Sequence, residues 1–243
     1  MATDLDGTLL DSRGQLSGGN RDALETLGRA GVLRVIATGR SLFSFRRALP
    51  MADLPVDYLI CSSGAGIMDL RTGEFIRKHS LSREQLIQIA GILIEEGVCF
   101  TVQHGMPDSH QFHYHGSSLA PPDFFRRLAT YEGYGQPLDK PENLPQSSQF
   151  LAILEGGLAQ FTVLAKKLHG YRVIRTTSPI DHNTLWMEVF PPEVGKGKAL
   201  EWIAWTHGIT QDKVVAVGND FNDLDMLDYA GQAFVTANAP VDM

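Results

Sequence analysis

Two aspartates near the start of the chain, Asp4 and Asp6 in Ala2-Thr3-Asp4-Leu5-Asp6-Gly7-Thr8, are the first residues with chemistry to offer. Carboxylates of this kind can attack phosphorus or hold a hard divalent cation. Side chains alternate along a strand, so an extended Thr3 to Leu5 would aim both carboxylates the same way. Gly7 then lets the chain turn sharply away. An ordinary acidic turn has the same composition, so the company these residues keep decides between the two. Three later stretches supply it. Val35-Ile36-Ala37-Thr38-Gly39-Arg40 is a β-rich run ending in a hydroxyl, and Gly195-Lys196-Gly197-Lys198 precedes an apolar helical pattern. Val214 to Val217 runs into Gly218-Asn219-Asp220-Phe221-Asn222-Asp223.

The elements that must position these stretches follow from periodicity and turn residues. Ser17 to Gly31 reads as a helix with Ala23, Leu24, Leu27 and Ala30 on one face and Gly31 as its stop. Val32 to Ala37 is nearly unbroken apolar sequence, the pattern of a parallel strand buried on both faces. A short helix over Ser41 to Leu49 and a strand over Tyr58 to Cys61 follow, and this alternation implies right-handed crossovers and a parallel sheet. From Gly66 the texture changes. A hairpin is expected around Thr72-Gly73, then a helix opened by the capping box Ser82 and Gln85. Further strands are expected at 98–103, 111–115, 150–154, 171–175 and 185–190, with helices at 122–131 and 158–168. Hairpins and helices repeated twice point to an α+β module with one sheet face covered by helices. After Pro191-Pro192 the first pattern resumes with a helix from Lys196, a strand to Val217, a helix from Asn222 and a strand over 233–236. The expected architecture is therefore α/β: a Rossmann-like parallel-sheet core from residues 1–66 and 183–243, with residues 67–182 an inserted α/β cap. The switch point lies between the first strand and Val214 to Val217, where open α/β sheets bind ligands.

Composition narrows the function classes. The chain has 243 residues, 43% hydrophobic and 20% charged, the balance of an ordinary globular protein. A net charge of −7 argues against nucleic acid as a partner. Two cysteines, Cys61 and Cys99, are too few for a disulfide framework and lack metal-ligand spacing, which makes a reducing cytoplasm the expected location. No apolar run approaches the roughly 20 residues that span a bilayer.

Asp, Thr, Lys and a second acidic loop, in that chain order and each at a strand end or helix start, resemble the four motifs of the haloacid dehalogenase superfamily of phosphohydrolases. The resemblance runs from Asp4 to about Asn238. The wording ATGR, a long insertion, KGKAL and GNDFNDLDML is similar to the branch with a large α/β cap between the second and third motifs, many of whose members dephosphorylate sugar phosphates. It implies a Mg²⁺-dependent phosphatase acting on a small phosphorylated metabolite, a sugar phosphate, through an aspartyl-phosphate. By that resemblance Asp4 is the nucleophile and a metal ligand. Asp6 protonates the leaving oxygen and then activates water, while its backbone carbonyl also binds the metal. Thr38 and the neighbouring Gly39 amide would hold phosphoryl oxygens near a helix start. Lys196, which stands immediately before Gly-x-Ala-Leu as the family pattern requires, adds positive charge; Lys198 is its rival. Asn222 orients the phosphate or the lysine, and Arg40 either reaches the substrate or makes a structural ion pair.

The departures from that pattern are specific. The last motif usually reads Gly-Asp-x-x-Asn-Asp, with the first Asp on the metal; here that position is Asn219, so the metal set is expected to be Asp4, Asp6, Asn219 and Asp223, with Asp220 as another source of charge. Ser63-Gly64-Ala65 replaces the common Asn-Gly-Ala at the cap hinge. Few residues precede Asp4 and few follow Asn238, so terminal segments are expected to be missing. The cap is expected to close over the substrate, exclude water and select the leaving group.

Four other readings share some of these features. A phosphomutase would use the same Asp4 intermediate, and a weakly catalytic sugar-phosphate-binding protein would suit Asn219. A phospho-receiver domain would lack the second Asp and the insertion. Neither Gly-Lys pair has the glycine spacing of a Walker loop. His104, His110, His113 and His115 invite comparison with a zinc site, but their irregular spacing without cysteine fits a polar cap surface better.

Overall fold

The computed structural model describes every residue except Asp53, Pro179, His182 and Asp242. The chain divides into two compact units, residues 1–78 with 194–243 and residues 79–193. The first begins with β1 (Ala2–Thr3), α1 (Gly18–Arg29), β2 (Val35–Ala37), α2 (Leu42–Ala48), β3 (Tyr58–Cys61), β4 (Gly66–Asp69) and β5 (Glu74–Lys78). The second holds α3 (Arg83–Glu95), β6 (Cys99–His104), β7 (Phe112–His115), α4 (Pro122–Thr130), β8 (Gly135–Pro137), β9 (Ser147–Leu154), α5 (Gly157–Lys167), β10 (Arg172–Thr177) and β11 (Leu185–Phe190). The chain then returns to the first unit for α6 (Lys196–Thr206), β12 (Val215–Gly218), α7 (Leu224–Tyr229) and β13 (Gln232–Val235).

Seven strands make the sheet of the first unit, in the order β13-β12-β1-β2-β3-β4-β5. The strands from β13 to β3 pair in parallel, while β3-β4 and β4-β5 are antiparallel. The central strands β2 and β3 are apolar and buried nearly throughout, the pattern of parallel strands inside a sheet. On one face α6 and α7 bring Leu200, Ile203 and Met226 against Ala2, Val35, Ile60 and Ala216. Ser17 and Ser41 cap α1 and α2 by accepting from the amides of Asn20 and Ser44. Of the expected apolar face of α1 only Leu24 is buried; Ala23 and Ala30 are exposed.

Two expected boundaries move. The hairpin β4-β5 continues the core sheet beside β3 instead of opening the insertion, because Tyr58 to Cys61 offers an edge that Gly66 to Asp69 pairs along its whole length. At the other end β11 pairs with β9 and β10 and so belongs to the inserted unit. The expected boundaries at 66/67 and 182/183 therefore lie at 78/79 and 193/194; His182 itself is outside the described residues.

The inserted unit has a six-stranded sheet in the order β10-β11-β9-β6-β7-β8. Phe100, Val102, Phe150, Ala152, Met187 and Val189 point to one face and pack with α3 and α5. The alternate residues Cys99, Leu151, Ile153 and Trp186 pack against Phe124 of α4. Helices thus cover parts of both faces, where one covered face was expected. The periodicity of Phe124, Phe125, Leu128 and Tyr131 marks α4 as amphipathic but cannot say which side of the sheet it meets. Among the described residues no helix is long and apolar enough to cross a membrane.

Candidate active site

Asp4, Thr38 and Asn219 follow the carboxyl ends of β1, β2 and β12, three neighbouring strands where the chain's winding reverses. The strand at Asp4 is shorter than expected. β1 ends at Thr3 and Leu5 begins a turn, so strand alternation does not pair the two aspartates. Asp4 stays in register through its amide, which donates to the Val217 carbonyl at 2.9 Å, and its side chain is buried. Asp6 is exposed and pairs outside the sheet, in an isolated bridge with Leu10. Gly7 takes φ +74°, a conformation that strains other residues, and a Cβ there would lie 2.7 Å from the Asn219 Nδ2, which would have to shift.

Lys196 opens α6 with its side chain wholly buried. Its Nζ donates to Asp4 Oδ1 at 2.7 Å and to Asp223 Oδ1 at 2.6 Å. A buried ammonium survives only when paired, and here two carboxylates share it. They hold the lysine above its ordinary range although burial opposes the charge. Burial dominates at Asp4 and pushes its pKa up to about 6, with Lys196 pulling it down and Asp223 adding to the rise. Gly197 is the reason α6 can sit here. A Cβ at Gly197 would stand 2.2 Å from the carbonyl oxygen of Asp225 in α7.

Asp223 was expected on the metal, but its bonds are those of a strut. Oδ1 accepts from Lys196, and Oδ2 accepts from the amides of Asn219 and Asp220 at 2.9 and 3.1 Å. It fixes both the lysine and the loop that carries Asn219. Asp220 caps the turn at 221–223, its Oδ1 accepting from the Phe221 amide at 2.7 Å. Asn219 Oδ1 accepts from Thr8 Oγ1 at 3.1 Å, and Asn238 Nδ2 donates to the Gly7 carbonyl at 3.0 Å. Thr8 and Asn238 were not among the expected site residues. Thr8 follows the Asp-x-Asp-Gly turn directly, which was the available signal; nothing local marks Asn238.

The loop after β2 completes the group. Thr38 is buried, and its Oγ1 accepts from the Arg40 amide at 3.1 Å. Ser62 and Ser63, buried and with φ of 45° and 53°, donate their amides to the carbonyls of Arg40 and Thr38. Left-handed backbone costs a non-glycine residue about 1–2 kcal/mol, so two such residues in a row mark a loop that its surroundings hold in place. The Asn222 Nδ2 lies 3.5 Å from where a Gly39 Cβ would be. Arg40 does not stand apart: its guanidinium grips Asp6 through Nε and Nη2, each 2.7 Å from a carboxylate oxygen.

The oxygen donors suit a hard cation. Among the described residues no group of three or more His, Cys, Asp or Glu comes together to hold a metal. A cation here would rest on the Asp4 carboxylate, the Asp6 carbonyl and the Asn219 amide oxygen, one charged donor with neutral ones. Mg²⁺ accepts such a set, since it is usually held by one or two carboxylates and keeps several waters. The fit is electrostatic too, because a buried carboxylate with a raised pKa is one whose charge a cation would stabilise. In the inserted unit His104 Nε2 and His113 Nδ1 lie 3.3 Å apart, a ring-to-ring pair that burial holds below the ordinary histidine range.

The pattern of the haloacid dehalogenase-like hydrolases matches residues 1–242. The chain is 28% identical to the 5-amino-6-(5-phospho-D-ribitylamino)uracil phosphatase YwtE of Bacillus subtilis, over 98% of this chain and 87% of that one. It is also 28% identical to the HMP-PP phosphatase of Cronobacter sakazakii, over 98% of this chain and 84% of that one. Among solved structures, a phosphatase of the haloalkanoate superfamily from Bacteroides thetaiotaomicron superposes with a TM-score of 0.77 at 21% identity, covering 99% of this chain and 84% of that one. With a match across nearly its whole length and the motif residues gathered at the carboxyl ends of the central strands, the chain belongs to the haloacid dehalogenase-like hydrolase family.

Proposed function

We propose that this haloacid dehalogenase-like phosphatase hydrolyses a small phosphorylated metabolite, a sugar phosphate or phosphorylated polyol, through an aspartyl-phosphate on Asp4. The observation that carries the reading is the Lys196 ammonium joined to Asp4 and Asp223, 192 and 27 residues away in sequence. A lysine buried among carboxylates at a strand end has no structural need to be there, and apolar packing would serve stability as well.

The carboxylate of Asp4 attacks phosphorus as the bond from phosphorus to the leaving oxygen breaks. Asp6 gives that oxygen a proton. Asp6 then takes a proton from water as the water attacks the aspartyl-phosphate, the bond from phosphorus to Asp4 breaks, and inorganic phosphate leaves. Lys196 holds Asp4 Oδ1, which orients the nucleophile and places a positive charge beside the phosphoryl group. Thr38 and the amides near Gly39 bind phosphoryl oxygens, with Asn222 beside them. Mg²⁺ held by Asp4, the Asp6 carbonyl and Asn219 would neutralise charge between the carboxylate and the phosphate. The phosphorylated ribityl chain in the name of the YwtE relative supports the substrate class. All the residues assigned to this chemistry lie in the first unit, so selection among leaving groups is assigned to residues 79–193.

Phosphate release from p-nitrophenyl phosphate and a panel of sugar and polyol phosphates tests this. Activity in Mg²⁺, its loss in EDTA and its return on adding Mg²⁺ are expected. Asp4→Asn should be folded and inactive; release by that variant at the wild-type rate would end the nucleophile assignment.

A further inference from the structure

We infer that Arg40 is a positioning residue for Asp6: its guanidinium, not the strand, aims the carboxylate that moves the proton. The inference rests on the phosphatase reading above and deepens it. Four observations support it. β1 stops at Thr3, so Asp6 lies outside the sheet, exposed and with its backbone in an isolated bridge to Leu10. Both of its oxygens are taken in a planar fork, Arg40 Nε to Oδ2 and Nη2 to Oδ1, each at 2.7 Å. Such a two-point grip fixes direction as well as distance, which a lysine in the same place cannot do. The guanidinium is itself anchored, since Nη1 donates to Ser44 Oγ at 3.3 Å, inside the first turn of α2. Finally, the Arg40 backbone is tied to the phosphate loop on both sides, its amide to Thr38 Oγ1 and its carbonyl to the Ser62 amide.

The chain therefore runs a rigid connection from Thr38, through the Arg40 backbone and side chain, to the Asp6 carboxylate. An ion pair this exposed contributes little to stability, so its loss should leave the fold intact while freeing Asp6 to rotate. Arg40 serves the reaction through Asp6, and the phosphoryl group is left to Thr38 and Lys196.

The experiment compares wild type, Arg40→Ala, Arg40→Lys and Asp6→Asn on two substrates, with melting temperatures as the check on folding. One substrate is p-nitrophenyl phosphate, whose leaving group departs without needing a proton. The other is an alkyl phosphate such as a polyol phosphate, whose leaving oxygen must be protonated. For Arg40→Ala, kcat on the alkyl phosphate should fall by at least about tenfold, a fraction of what general acid catalysis provides. KM should change little, and the loss in kcat/KM, which reports formation of the aspartyl-phosphate, should be several times smaller on the aryl phosphate. Free guanidinium ion should restore part of the alkyl activity. In the Asp6→Asn background, removal of Arg40 should cost nothing further, because the two act as one unit.

A rise in KM with kcat unchanged would instead make Arg40 a substrate contact and overturn the inference. Equal losses of kcat/KM on both substrates, or additive losses with Asp6→Asn, would overturn it as well. If Arg40→Ala fails to fold, Arg40→Lys carries the same comparison, since it keeps the charge and loses the fork. A wild-type protein inactive on both substrates would overturn the phosphatase reading itself and this inference with it.

Discussion

At Lys196 the burial of charge and the placement of a reactive group are the same fact. Its ammonium has no exposure and is held by Asp4 and Asp223. Breaking a buried pair leaves uncompensated charge, which typically costs about 3–5 kcal/mol. Asp223→Ala should therefore lower stability by roughly 3 kcal/mol and also reduce phosphate release, because the lysine and the Asn219 loop both lose their strut. Chemical denaturation and kinetics on the same preparation check this; an unchanged rate would remove Asp223 from the site. A second ion pair allows a test of pH. Arg34 grips Asp57 with bonds of 2.8 and 3.0 Å, and its own amide donates to the same carboxylate. Although burial works the other way, these bonds hold the Asp57 pKa below its ordinary value of 3.8. A depressed carboxylate contributes stability that is complete above the unfolded value and is lost as pH falls through the folded one. The stability difference between wild type and Asp57→Asn should thus be constant from neutral pH down to about 4 and shrink below it. Since the carboxylate is partly exposed, the plateau should be about 1 kcal/mol. A difference that grows on acidification would refute the assignment.

Helix starts carry the site, and close backbone approach sets where they stand. The first turn of α6 bears Lys196 and packs on α7 at Gly197 with no room for a methyl group: a Cβ would meet the Asp225 carbonyl oxygen at 2.2 Å. Gly197→Ala must push the two helices apart and move Lys196 with them. The expected cost is about 1–3 kcal/mol, as for other overpacked contacts, together with loss of activity. Retention of both wild-type melting temperature and wild-type rate would show that the helices have slack the structure does not indicate.

At the scale of the whole chain, two cores are built on two sheets. Phe150 is fully buried in the core of the inserted unit, packed with Phe100 at 5.6 Å between ring centroids. Phe150→Ala should cost that unit about 3–5 kcal/mol. Because each unit has its own core, the loss should appear in calorimetry as one transition moving down in temperature while the other stays, a departure from two-state unfolding. A single transition that shifts as a whole would mean that the units unfold together.

Much of this was legible in the chain, for reasons that can be named. Asp4, Thr38 and Lys196 stand beside apolar runs and turn residues whose periodicity fixes strand ends and helix starts locally, and the seryl caps at Ser17, Ser41 and Ser82 are local too. The alternation of strands and helices implied the parallel core, and the switch point put the first and last motifs side by side. Other features depend on partners far apart in sequence, which periodicity does not report. The Gly66 to Lys78 hairpin reads the same whichever sheet it extends, and only pairing with β3 assigned it to the core. Amphipathic α4 could cover either side of its sheet. Asp223 and Arg40 carry charges whose roles depend on what folds against them: one became a strut for Lys196, the other a grip on Asp6. Residue types and local order thus come from the sequence, because they follow from backbone sterics and burial over a few residues. Which charges meet was decided by the tertiary structure, because a charge is stabilised by whichever partner lies within about 3 Å of it, however distant along the chain.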